Sequence, residues 1–161
     1  MQPASRLTAI SLAALFLAAH VVAQHADEQK REVMFTPTDL KWQDGPPSLP
    51  KGAKVALLEG DPSKKGPFVM RAKLPGGYKI APHTHPEDER VTVIAGTLYL
   101  GMGGTFDEKG GTALPAGSYA RLPAGMKHFA WAKGETVIQV TGQGPWIINY
   151  VNADDDPRKG K

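Results

Sequence analysis

The 161 residues include no cysteine. That absence removes disulfide bonds, thiolate metal ligands and cysteine nucleophiles together, so the core alone must hold the fold. Charge of one dominant sign is also missing. Nineteen basic residues against sixteen acidic ones leave a formal net charge of +3, too slight a bias to draw nucleic acid or an anionic membrane surface. Beyond one N-terminal segment there is no long apolar run, and no membrane span is expected. Internal repeats, heptads and long helical patterns do not occur either. The glycine-rich stretch 141–146 lacks the strand–loop–helix setting of a phosphate loop and reads as a strand connection.

What is plentiful is punctuation. Eighteen glycines and fourteen prolines, spread through the middle of the chain, divide it into short segments and favour an all-β fold. The N-terminus has a different character. Arg6 precedes a stretch, residues 7–22, free of Lys, Arg, Asp and Glu, and Val21, Val22 and Ala23 suit a signal-peptidase site. The apolar stretch falls short of the roughly 20 residues that span a bilayer, and it contains His20. The expectation is a leader over 1–23 and an exported protein, periplasmic or secreted, starting at Gln24. Residues 24–33 then form a mobile polar lead-in, 34–152 the folded domain, and 153–161 a disordered tail.

Segments 55–58, 68–73, 90–94, 97–102, 118–122, 128–131, 135–141 and 146–151 are mostly rich in Val, Ile, Leu, Thr or aromatics and bounded by turn residues. They are expected as strands, with a tight hairpin across Ala95 and Gly96. Residues 39–54, with three prolines, read as a loop. Strands with no helix between them form a sandwich or barrel.

One constellation carries chemistry. His83 and His85 are two residues apart between Pro82 and Pro86, and so share a face of a strand. Glu89 follows the turn at 86–88 and alternates with Val91 and Val93. A carboxylate buried in that register needs a partner, and a cation would supply it. Further on, a strand ends at Pro123, the chain turns at Gly125, and His128 opens the next strand, placed to arrive as a fourth ligand. Three imidazoles and one carboxylate suit Fe, Mn, Ni, Cu or Zn with a coordination position left open.

These stretches resemble the two signature motifs of the cupin superfamily. The first matches at Gly77, His83, His85, Glu89 and Gly96, the second at Gly117, Pro123, Gly125 and His128. Ala132 departs from the asparagine the family often has there, which is not a metal ligand. The resemblance implies a single jelly-roll β-barrel, often dimeric, with one divalent metal ion held by His83, His85, Glu89 and His128.

Alternation places Phe68, Met70, Ala72, Leu98, Leu100 and Ala130 inward and Phe129 and Trp131 outward. The outward pair needs a cover, either a homodimer partner or another loop. Tyr78, Tyr99, Tyr119, Arg71, Arg121 and Gln139 are polar groups placed to assist chemistry, each more often structural. His25 lies outside the barrel segment. The expected function is a small-molecule metalloenzyme, with dioxygenase-like chemistry at Fe or Mn favoured among the reactions of cupins. Alternatives are a cupin lyase or isomerase, a non-catalytic periplasmic binder of a small ligand or metal, and a sensory module.

Overall fold

Side chains alternate across a strand, so the register between strands decides which residues meet inside. The computed structural model describes residues 32–159. The expected leader and nearly all of the lead-in, with His20 and His25, lie outside the described residues. Among the described residues, Phe35 onward form one compact unit.

Its strands are β1 (Gln43–Asp44), β2 (Lys54–Glu59), β3 (Gly66–Leu74), β4 (Lys79–Thr84), β5 (Glu89–Ala95), β6 (Thr97–Met102), β7 (Gly111–Pro115), β8 (Tyr119–Leu122), β9 (His128–Ala132), β10 (Thr136–Gly144) and β11 (Asn149–Tyr150). They form two antiparallel sheets, β1-β2-β3-β10-β5-β8 and β11-β4-β9-β6-β7. Between them lies one core that includes Phe68, Leu74, Val91, Val93, Leu98, Leu100, Leu122, Ile138 and Val140. This is the all-β jelly-roll barrel expected, and its inward residues are those that alternation selects.

The structure corrects several expectations. Ala95 and Gly96 do not form a hairpin: β5 pairs with β10 and β8, whereas β6 pairs with β7 and β9. The chain changes sheets at Gly96, whose φ is +75°, and an added Cβ would lie 2.4 Å from the Glu135 carbonyl oxygen. Only glycine turns that corner without strain. Strand β10 runs on through Gly144, so most of the glycine-rich stretch is strand, and the expected strand at 146–151 shrinks to Asn149–Tyr150. Residues 153–159 are not a disordered tail but two 3-10 turns. Asn152 caps the first, and the Arg158 guanidinium donates to the Ile148 carbonyl at 3.0 Å.

The outward aromatics are covered by the chain itself. Phe106, in the connection between β6 and β7, lies 4.9 Å from Phe129 and 5.7 Å from Trp131 between ring centroids, and Tyr99 stacks on Trp131 at 5.1 Å. A Cβ on Gly101 would come within 2.2 Å of the Phe129 ring, so the missing side chain is what admits that ring.

Candidate metal centre

Backbone pairing brings the histidines together. His83, near the end of β4, stands opposite His128 at the start of β9; on its other side β11 places Tyr150. His85 lies one residue beyond β4 and faces the same space. The three rings are 4.2 to 5.3 Å apart between centroids. One nitrogen from each lies within 4.8 Å of the other two. All three residues are buried, at 4%, 4% and 2% exposure for His83, His85 and His128. The opposite sheet contributes Glu89, the first residue of β5.

Each imidazole is held from behind by a backbone carbonyl. The Nδ1 atoms of His83, His85 and His128 bond the carbonyl oxygens of Ala81 (2.7 Å), Ile147 (2.8 Å) and Met126 (2.9 Å). A carbonyl oxygen only accepts, so Nδ1 carries the hydrogen and Nε2 presents a bare lone pair. The Nε2 atoms of His85 and His128 are buried with no hydrogen-bond partner. Glu89 Oε2 lies 3.7 Å from the first and 3.2 Å from the second. The 3.2 Å contact has hydrogen-bond length, but in this tautomer neither atom has a hydrogen to give. Converging acceptors of this kind need a cation or a proton between them, and the donor chemistry fits a first-row transition metal.

The electrostatics agree. Burial, with the neighbouring His128, lowers the His83 pKa to about 3, and burial lowers that of His85. The His83 and His85 imidazoles therefore stay neutral, the state in which they ligate metals. Burial pushes the Glu89 carboxyl up, but hydrogen bonding to His128 and the positive charge the imidazoles would carry once protonated outweigh it and hold its pKa below the ordinary value.

A second layer fixes these groups. Asp88 Oδ2 accepts from Arg121 Nε and Nη2 at 3.0 and 2.7 Å, and Asp88 Oδ1 accepts from the Ala124 amide at 3.0 Å. The Gly125 amide donates to the His85 carbonyl at 2.8 Å. The turn before Glu89 is thereby tied to the turn before His128. Trp146 lies flat on His85, 4.0 Å between centroids and 15° from parallel, and meets Phe68 edge-on at 5.3 Å.

The sequence-derived candidates divide clearly. His83, His85, Glu89 and His128 converge. Arg71 and Gln139 pair with each other on the outer face of their sheet, Arg121 serves Asp88, Tyr99 stacks on Trp131, and Tyr119 is exposed. Tyr78 spends its hydroxyl on the Pro50 carbonyl at 2.6 Å. Trp146, Tyr150 and the three supporting carbonyls escaped sequence reasoning. Trp146 and Tyr150 reach the site by pairing and packing distant in sequence, and a carbonyl carries no side-chain signature.

The model of the ChrR cupin-like domain matches residues 30–147. The chain belongs to that family. No curated protein matches it. Among solved structures, this cupin is similar to the polyketide cyclase RemF from Streptomyces resistomycificus, with TM-score 0.61, 15% identity, and 80% of this chain and 92% of that one covered. It is also similar to an acetylacetone dioxygenase from Acinetobacter johnsonii, with TM-score 0.59, 16% identity, and 97% and 88% covered. A putative acetylacetone dioxygenase from Methylibium petroleiphilum PM1 gives TM-score 0.59, 20% identity, and 80% and 87% covered. At these identities the likeness speaks for the cupin fold.

Proposed function

We propose that the chain binds one divalent metal ion through His83, His85, Glu89 and His128, Fe or Mn before Ni, Cu or Zn, and acts on a small organic molecule in dioxygenase-like chemistry. The observation that carries this reading is the pair of buried, partnerless Nε2 atoms beside a buried carboxylate. Two of the solved relatives bear dioxygenase names, which favours that reaction class among those the fold hosts.

A bound ion supplies Lewis acidity and an open coordination position. The chain supplies the rest. Carbonyls of Ala81, Ile147 and Met126 fix the ring planes, and Glu89 brings one negative charge. Trp146 shields one face of His85 from water. Tyr150, 6.0 Å from His83, donates its hydroxyl to the Ser48 carbonyl at 2.8 Å, and burial, with Asp156, lifts its pKa to about 12. It stays protonated and serves as a wall rather than a base.

Oxygen uptake tests the reading. Metal-loaded protein is expected to consume oxygen with an enolic dione or a phenol, and to stop when the ion is removed. Loaded protein that consumes none with any such compound refutes the dioxygenase assignment. A second reading, a non-catalytic binder of a small ligand or metal, draws on the outward placement of Arg71, Arg121, Gln139, Tyr99 and Tyr119, which leaves no spare proton donor among them at the site. Stoichiometric ligand retention with no product decides for it. Export is part of the proposal and rests on the leader at 1–23. Gln24 as the first residue of protein recovered from cells supports it, and Met1 overturns it.

A further inference from the structure

Register places the candidate centre at one end of the barrel. His83 pairs with His128, His128 with Met102, and Glu89 with Leu122, so β4, β6 and β8 end where β5 and β9 begin. That end exposes apolar side chains: Met102 at 52%, Met126 at 41%, Ile147 at 44% and Val151 at 39%. Ten large hydrophobics are exposed among the described residues, and four of them lie at this end. A scattered surface would not give that concentration.

Each of the four adjoins the centre. Met102 has the inward parity of Leu98 and Leu100 and stands beside His128. Met126 and Ile147 lend their carbonyls to His128 and His85. The Val151 amide donates to the Pro82 carbonyl, one residue before His83.

Behind the collar the barrel offers few polar groups. Among the described residues the buried polar side chains are His83, His85, His128 and Thr136, with Glu89 nearly so. The Thr136 hydroxyl is occupied by the Thr97 and Gly134 carbonyls, and those of Tyr78 and Tyr150 by Pro50 and Ser48. A polyhydroxylated molecule would lose its bonds to water there and, beyond the donor set itself, find few in exchange. A hydrocarbon body loses nothing, and methionine side chains adapt to its shape.

We infer that the site takes a small molecule with one oxygen-bearing head, an enolate or carboxylate, on an otherwise apolar body seated on Met102, Met126, Ile147 and Val151. The place of the head rests on the metal reading above; the collar does not.

Calorimetry with pentane-2,4-dione, heptane-3,5-dione and nonane-4,6-dione tests this, with galacturonate as the polyhydroxylated comparison, on metal-loaded and metal-free protein. Affinity should rise about two- to fourfold per added methylene, with galacturonate at least about tenfold weaker than the shortest dione. Met102→Gln should flatten the series while ion content stays native. Ion retained with no chain-length dependence, or with galacturonate bound as well as the diones, overturns this inference and spares the metal reading. No ion retained, with the dependence intact on the metal-free chain, sinks the metal reading and upholds the collar.

Discussion

Replacing Trp146 with alanine removes the indole that covers His85 and meets Phe68 edge-on. A fully buried Trp→Ala change costs about 3–5 kcal/mol. Trp146 is partly exposed, so a smaller cost applies, about 2–3 kcal/mol, of which the two ring contacts account for about 0.5–1.5 each. The second effect falls on the centre. Ile147, whose carbonyl fixes His85 Nδ1 at 2.8 Å, is the next residue, so both restraints on that imidazole loosen together. Loss of such outer support typically weakens metal binding about 10- to 100-fold. Urea unfolding of the metal-free protein reads the first effect, and competition against a chelating dye reads the second. Trp146→Phe keeps an aromatic plane over His85 and should recover much of both. If Trp146→Ala is within about 0.5 kcal/mol of the native protein, a surface-like change, and binds the ion equally well, the indole does not support the site.

Asp88→Ala removes the acceptor that joins the two ligand-bearing turns and is expected to weaken ion binding about tenfold or more; Asp88→Asn still accepts from Ala124 and should fall between, and unchanged affinity in Asp88→Ala would contradict the positioning role. Metal-free protein is expected to lose stability in acid. His83 is pulled down to about 3 by burial and His128, so between that value and the ordinary 6.5 the unfolded chain binds a proton that the folded chain refuses. That stability is present above 6.5 and lost as pH falls, about 3 kcal/mol of it by pH 4. His85, also lowered, acts in the same sense, and the contribution of Glu89 is lost as pH falls through its lowered pKa. Urea midpoints at pH 7, 5.5 and 4 measure this, and a flat profile contradicts it.

The barrel and the four converging side chains were legible because alternation and ligand spacing are local signals. What escaped was set by distant partners. Strand β4 holds Pro82 and His83, poor strand formers that are recruited by pairing with β9. Strand β7 begins with Gly111 and ends at Pro115 and forms against β6. A glycine between two apolar runs has the same local appearance in a hairpin and at a sheet-changing corner. Only the approach of Glu135 and Thr136 to Gly96 separates the two. The charged C-terminal stretch has a disordered composition, yet Arg158 is tied to both Asp156 and the Ile148 carbonyl.

Metal content against ligand substitution probes the centre most directly. Native protein, stripped and reloaded with Fe(II) or Mn(II) and measured by elemental analysis, should hold one ion per chain. His128→Ala should hold little while its strands remain, because the hydrophobic core that carries the barrel is untouched. Full occupancy in His128→Ala, or a native chain that retains no ion, would contradict the account.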